Sequence, residues 1–209
     1  DTYFIGTAIC IAPFYYATHQ GVVAAGGNAD GYSVPDELSV LLAGLAFLAL
    51  GMWSIIRLLR SFSLSNSTIA FSLMGLTLAT NMYYYTVYHP DFAHVFAFGI
   101  IAFLLLQFKT YADSNKSKHL VIIASLLGLL TIIRPTDALI VLLFPFFFKS
   151  FKAFLARLQF ILKDQKIAFL LGLILFIAII SLQFINIYQQ TGQWRFNEYV
   201  VGAEGFDHL

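Results

Sequence analysis

The sequence predicts an all-α fold, a polytopic bundle of transmembrane helices, and three observations support this. Hydrophobic residues make up 59% of the 209 positions and charged residues only 11%, whereas a soluble domain carries about 25% charged residues. Apolar stretches of about 20 residues, the length needed to cross a bilayer, recur along the chain. Basic residues collect in three of the loops between these stretches. We therefore expect about six transmembrane helices, including a short hairpin, and an N-terminal interfacial helix in one domain, residues 1–209.

The N-terminal part has two possible placements relative to the membrane. Tyr3–Tyr16 is apolar but short and contains Pro13, so it forms either a span or a helix along the interface. The glycine-rich stretch Gly21–Gly31 is predicted to be a loop, which makes residues 1–37 an interfacial segment followed by an outer loop. The single cysteine, Cys10, is predicted to fill apolar space.

The helix bundle is expected over residues 38–188. Its predicted spans are four apolar stretches: Leu38–Ile56, Thr68–Tyr88, Phe92–Phe108 and Ile167–Tyr188. Two shorter apolar runs lie on either side of Arg134. Residues 189–209 are expected to begin another outer loop.

The charge distribution predicts which loops face the cytoplasm. Ten of the twelve basic residues fall in three loops: Arg57 and Arg60; Lys109, Lys116 and Lys118; Lys149, Lys152, Arg157, Lys163 and Lys166. The remaining loops are mainly acidic, with Asp30, Asp36, Glu37, Asp91, Glu198, Glu204 and Asp207. Because Lys and Arg accumulate on the cytoplasmic side, we expect the basic loops inside and the acidic loops outside. The few charges form no basic face for nucleic acid.

The stretch TIIRPTDALI places Arg134 and Asp137 between two apolar runs. Lys118 and Lys149 bracket these runs, and both are predicted to lie inside. One straight helix would put them on opposite sides, so we expect the segment to fold back as a hairpin. At about 1.5 Å per residue its arms cover about 22 and about 16 Å, less than the core of about 30 Å. Pro135 favours a turn at this point, so the tip is expected below the outer surface.

An arginine at this depth needs a partner. A central arginine costs about 2.5–3.5 kcal/mol on insertion scales, so Arg134 should face protein or a water-filled cavity. Two interpretations stay open: an ion pair between Arg134 and Asp137 that fastens the hairpin, or an anion site that opens outward. The planar guanidinium suits phosphate in particular.

The segment YYYTVYHPDFAH contains several further candidates. Its tyrosines are typical of an aromatic belt at a membrane edge, and Asp91 is predicted to cap the helix that follows. His94, one turn into that helix, is either a packing residue or a contact to acceptor or phosphate. His89, Asp91 and His94 match a metal pattern only weakly, so no metal site is predicted.

Two other groups of polar residues have a structural and a functional interpretation. Asp30 and Tyr32, in the sequence NADGYS, are typical of a turn, and a sugar contact is the alternative. Glu204 lies near aromatic residues in the C-terminal tail, as does Asp207. Carboxylates beside aromatic rings suit sugar recognition, although a solvated loop explains them equally well.

Five segments taken in order resemble one family. They are YFIGTAICIAPFYYATH, ADGYSVPDELSVLLAGLAFLALGMWSIIRLLRSF, TNMYYYTVYHPDFAHVFAFGIIAFLLL, LLGLLTIIRP and TGQWRFNEYVVGAEGFDHL. Together they are similar to the polytopic GT-C glycosyltransferases, which resemble dolichyl-phosphate-mannose–protein mannosyltransferases, and above all to bacterial members. The resemblance runs through nearly the whole chain, and it depends on the order and spacing of the segments.

The resemblance implies a function. A polyprenyl-phosphate sugar would bind at the outer face of a bacterial cytoplasmic (inner) membrane, and a carboxylate would deprotonate the hydroxyl of a glycan, lipid or protein acceptor. The hydroxyl would attack the anomeric carbon with inversion, without a cofactor. In that family the catalytic Asp lies in the first outer loop, which implies that it precedes residue 1 here. The chain is therefore expected to be an internal piece of a longer protein, with its catalytic residue unassigned.

Site residues follow from this expectation. We expect Arg134 to bind the donor phosphate. The possible substrate-binding residues are Asp30, Tyr32, His89, Asp91, His94, Asp137 and Glu204. The competing function is a transporter or flippase for lipid-linked glycans, since broken helices at membrane depth are familiar in transporters. A third possibility is that the fragment has no activity in isolation.

Overall fold

The computed structural model describes residues 4–28 and 30–194. Within these residues the chain forms eight α-helices and one 3₁₀ helix, without a β-strand. In order they are α1 (Gly6–Ala24), α2 (Val34–Ser61), α3 (Asn66–Leu78), α4 (Met82–Val87), α5 (Ala93–Ser114), α6 (Lys118–Ile133), the 3₁₀ helix η1 (Pro135–Phe147), α7 (Phe151–Asp164) and α8 (Lys166–Thr191). The all-α prediction is confirmed.

Three helices are long and apolar enough to cross a membrane: α2, α5 and α8. A fourth span results if η1 and α7, which are bent by 108° relative to each other, count as one. The expected number of about six therefore stays a prediction.

The predicted span over Thr68–Tyr88 is not one continuous helix, because α3 ends before α4 begins. At the break the Thr80 hydroxyl donates to the Leu76 carbonyl at 2.5 Å and accepts from the Met82 amide at 3.2 Å. The side chain thus takes over backbone groups that a continuous helix would use.

Several helix termini follow familiar capping rules. At the start of α2, Ser33 and Asp36 form a capping box, with Pro35 in the first turn. Ser150 caps α7 through the Ala153 amide. Helix α8 ends at Thr191 and is capped by Gly192, which has a positive φ of 71°, a conformation that glycine adopts without strain. These local signals fix the starts of α2 and α7 and the end of α8.

Four helices pack side by side in the order α2, α5, α6, α8. Glycines allow the close approach: a Cβ at Gly99 of α5 would lie 2.6 Å from the Phe47 carbonyl oxygen of α2. Gly128 of α6 similarly faces Ile179 of α8, and Gly172 of α8 faces Ala124 of α6. Small residues at helix contacts are typical of membrane bundles, where the attraction between helices comes from close packing.

Helices α6 and η1 form a hairpin. At the start of α6, His119 lies 2.7 Å from Gln107, near the C-terminal end of α5. At its other end, Arg134 contacts His94 at the N-terminal end of α5. Helix η1 then returns, and Phe144 stacks on Phe108 of α5 with ring centroids 3.8 Å apart. The chain therefore folds back at Arg134, as the bracketing lysines predicted.

The return arm differs from the expected α-helix. It is a 3₁₀ helix of 13 residues, and at about 2.0 Å per residue it reaches about 26 Å rather than about 16 Å. Pro145 within it lacks the amide that an α-helical bond would require. The longer reach brings η1 back to the level of Phe108.

The two ends of the bundle differ in charge. One end, called here the basic end, contains the ten basic residues of the three loops. Contacts hold it together: Lys109 lies 5.4 Å from the Phe62 ring and Arg157 5.7 Å from the Tyr111 ring. The opposite end, the tip end, contains Arg134 and the first turns of α2 and α5. The positive-inside rule predicts that the basic end faces the cytoplasm, and this orientation stays a prediction.

Helix α1 lies across the tip end. A Cβ at Gly6 would be 2.5 Å from backbone atoms of Ile132 and Ile133 at the end of α6. The Ile5 amide donates to Gln183 of α8 at 2.8 Å, and His19 lies 3.3 Å from Asp36 in the first turn of α2. Both ends of α1 thus contact the same end of the bundle, which favours the interfacial alternative over a span.

Candidate functional site

A cavity of about 880 Å³ opens at the tip end. Three parts of the chain form its walls: one face of α1, the start of α5, and the hairpin tip. The lining residues are Phe4, Thr7, Ala8, Ile11, Asp91, Phe92, Ala93, His94, Ile133, Arg134, Pro135 and Thr136. This cavity brings together Arg134, Asp91 and His94 from the sequence-predicted residues.

The local backbone sets the position of Arg134. Its amide makes the last bond of α6, to the Leu130 carbonyl at 2.8 Å, and its own backbone is extended, with φ −152° and ψ 106°. Pro135 then starts η1. This sharp change of direction projects the arginine side chain, which is 40% exposed, from the tip. Among the described residues that line the cavity, Arg134 is the only Lys or Arg.

His94 holds the guanidinium. The Arg134 Nη1 lies 2.9 Å from His94 Nδ1. A guanidinium can only donate, so Nδ1 accepts and the proton of the neutral imidazole lies on Nε2. The ring also stacks on Tyr85, with centroids 4.1 Å apart and planes inclined by 27°. Arg134 is therefore oriented by an uncharged partner that leaves its positive charge in place.

Asp137 lies near the guanidinium without a hydrogen bond to it. The distance from Arg134 Nε to Asp137 Oδ2 is 3.8 Å, beyond the usual range of a hydrogen bond. The local ion pair predicted as one alternative exists, but it is loose, and it leaves Nη2 without a hydrogen bond in the described part of the chain. The arrangement can therefore accept an anion from the cavity.

Asp91 and His89 differ from their predicted roles in different ways. Asp91 lines the cavity and is exposed, but it does not cap α5: the cap residue is Phe92, and no side chain caps this terminus. The His89 carbonyl accepts from the Phe92 amide at 3.1 Å, and this turn shifts the helix start past Asp91. His89 Nε2 lies 2.9 Å from the Tyr84 hydroxyl, within the tyrosine cluster and away from the cavity lining.

Asp30 and Tyr32 form a turn. Asp30 accepts from the Tyr32 amide at 2.9 Å through Oδ1, and from the Asn28 side chain through Oδ2. Tyr32 is exposed and lies in the loop after α1, whereas the cavity is lined by the first half of α1. The structure thus does not bring these two residues to the cavity. Glu204 lies outside the described residues.

Two features around the site were not predicted from the sequence. The α1 wall of the cavity consists of Thr7, Ala8 and Ile11, with Phe4 just before the helix, and the spacing of three and four residues marks one face of a helix. Buried Asp36 contacts His19 and so joins α2 to α1. The sequence Ser33-Val-Pro-Asp36 was a signal for the cap, but the partner on α1 has no local signal.

Neither a metal-binding group nor a similar known protein identifies the function of this site. In residues 4–28 and 30–194, no group of three His, Cys, Asp or Glu side chains is arranged to hold a metal ion. No protein-family model, curated protein or solved structure matches the chain. A functional proposal therefore starts from the cavity and its arginine.

Proposed function

We propose that this protein is a membrane glycosyltransferase that moves a sugar from a polyprenyl-phosphate donor to an acceptor hydroxyl with inversion. The observation that carries the proposal is the open cavity at the tip end, into which a half-exposed guanidinium projects. Arg134 binds the donor phosphate in this proposal. The protein would contain about six spans and act at the outer face of a bacterial cytoplasmic membrane.

The chemistry explains why an arginine is useful there. The acceptor oxygen forms a bond to the anomeric carbon, the bond from that carbon to the phosphate oxygen breaks, and the acceptor proton passes to a carboxylate base. The donor phosphodiester has one negative charge, and the departing polyprenyl phosphate gains another. A positioned guanidinium stabilises this developing charge. Each preorganised hydrogen-bond donor of this kind lowers the barrier by about 2.7–4 kcal/mol.

The other cavity walls suit the rest of the donor. Phe4, Ala8, Ile11 and Ile133 provide apolar surface beside the guanidinium, which matches an isoprenoid chain attached to the phosphate. Thr7, Asp91 and Thr136 provide hydroxyl and carboxylate groups in the same cavity, and these are groups that hydrogen-bond sugar hydroxyls. Asp91 is thus a candidate sugar contact.

The test is a transfer assay with the full-length protein in membrane vesicles. A polyprenyl-phosphate donor with a radiolabelled sugar is added with extracted cell-envelope acceptors, and both labelled product and free polyprenyl phosphate are measured. We expect the two to appear in equal amounts. If donor binds but neither product forms, the transfer proposal is wrong.

The transporter alternative is favoured by one observation, the broken helical path at Arg134 between α6 and η1. It predicts that the labelled donor changes sides in sealed vesicles while its sugar–phosphate bond remains intact. The same vesicles therefore distinguish the two functions.

A further inference from the structure

A second cavity, of about 790 Å³, lies at the basic end between the α5–α6 turn and the start of α8. We call it the basic groove; its lining residues are Asn115, Lys116, Ser117, Lys118, Val121, Asp164, Gln165, Lys166, Ile167, Ala168 and Leu171. We propose that the basic groove binds the phosphate headgroup of an anionic phospholipid. This inference is independent of the proposed glycosyl transfer.

The charge of the groove favours an anion. Lys116, Lys118 and Lys166 line it together with a single carboxylate, Asp164, so the groove carries a net charge of about +2. In the described part of the chain none of the three lysines lies within ion-pair distance of a carboxylate. Helices α6 and α8 both begin there, and the positive ends of their dipoles add to the positive potential.

The walls of the groove are fixed by one side chain. Gln165 donates from Nε2 to the Asn115 carbonyl at 2.6 Å and accepts at Oε1 from the Tyr111 hydroxyl at 2.9 Å. It therefore ties the junction between α7 and α8 to the end of α5. Because both sides are held, the lysines are presented in a preformed site rather than on separate loops.

The floor of the groove indicates a lipid rather than a free anion. Val121, Ile167, Ala168 and Leu171 form an apolar floor. Ile167 and Leu171 are exposed and continue along α8 to exposed Ile174, and this spacing marks one face of the helix. An acyl chain can lie along this face while its headgroup occupies the groove. Basic pockets between helices on the cytoplasmic side are known to bind anionic lipid headgroups.

The experiment uses the whole chain, purified in detergent, and measures the rise of the unfolding temperature with added lipid. Phosphatidylglycerol is the probe, and phosphatidylcholine is the uncharged comparison. The groove variant is Lys116→Gln/Lys118→Gln/Lys166→Gln. The matched control, Lys149→Gln/Lys152→Gln/Lys163→Gln, removes the same charge from exposed positions of the same end outside the groove.

We expect phosphatidylglycerol, but not phosphatidylcholine, to stabilise the wild type and the control. In the groove variant the concentration for half-maximal stabilisation should rise at least about tenfold, since each lysine near an anionic lipid contributes about fivefold to binding. If the triple variant does not fold, Lys118→Gln and Lys166→Gln alone should each weaken binding by about fivefold.

Three results would overturn the inference. One is an equal loss in the groove variant and the control, which would mean unspecific attraction to the basic end. Another is equal stabilisation by phosphatidylcholine. The third is equal protection by inorganic phosphate at the same concentration, which would identify a free anion rather than a lipid as the ligand.

Discussion

Replacement of Arg134 by alanine is expected to lower the rate of sugar transfer by about 10²–10³-fold, the usual effect of removing one preorganised donor to a developing negative charge. The proposal assigns to Arg134 the stabilisation of the departing phosphate, and no other Lys or Arg lines the cavity among the described residues. Transfer and donor binding are measured separately in membranes that contain equal amounts of protein.

Two further variants make this result specific. Arg60→Ala removes an arginine from the basic end and should leave transfer unchanged. His94→Phe keeps a ring that can stack on Tyr85 but removes the Nδ1 acceptor at 2.9 Å from Arg134. As a positioning residue, His94 should affect the transfer rate more than the affinity for the polyprenyl-phosphate sugar. We expect the rate to fall about tenfold, since a misdirected guanidinium still contributes its charge.

Unchanged transfer and donor binding in Arg134→Ala would remove the arginine from the mechanism. Equal losses in Arg134→Ala and Arg60→Ala would indicate a general loss of folded protein instead. If transfer and donor binding are unchanged, the remaining role of Arg134 is the loose pair with Asp137, at 3.8 Å, which fastens the hairpin.

Gly99→Ala is expected to destabilise the bundle, because the added Cβ would lie 2.6 Å from the Phe47 carbonyl oxygen. Backbone cannot move aside as a flexible side chain does, so α2 and α5 must separate. Overpacking of this kind costs about 1–3 kcal/mol, and we expect the unfolding temperature in detergent to lie a few to about ten degrees below that of a glycine-to-alanine change without such a clash.

Gly75→Ala is the matched control. It introduces the same methyl group into a helix, but nothing lies within 4 Å of its Cβ. Both changes gain the helix propensity of alanine, about 1 kcal/mol, so the difference between the variants isolates the clash. If both variants unfold at the same temperature, the close contact between α2 and α5 is wrong.

The general architecture could be predicted because it depends on patterns along the chain. Long apolar stretches marked α2, α5 and α8, and the lysines at 118 and 149 required the fold-back at Arg134. The break at Thr80 was not predicted because Thr80 and Asn81, which have no formal charge, do not by themselves show that a helix is interrupted. The 3₁₀ geometry of η1 was missed because apolar composition does not distinguish it from an α-helix.

The site was predicted only in part, because its contacts join residues distant in sequence. Arg134 and His94 were both candidates, but their hydrogen bond depends on the packing register of α5 against α6. The same limit applies to His19 and Asp36. Tyr32 and Asp30 followed their local turn signal, which is why the turn could be predicted.

The most direct test of the hairpin is its accessibility to a membrane-impermeant thiol reagent in intact cells. Cys10 is buried and is the single native cysteine, so single cysteines can be placed at Lys118, Thr136 and Lys149 in a Cys10→Ala background. We predict labelling of Thr136→Cys from outside, and labelling of Lys118→Cys and Lys149→Cys only after the cells are opened. Labelling of Lys118→Cys and Lys149→Cys from opposite sides of the membrane would contradict the hairpin and the site built on its tip.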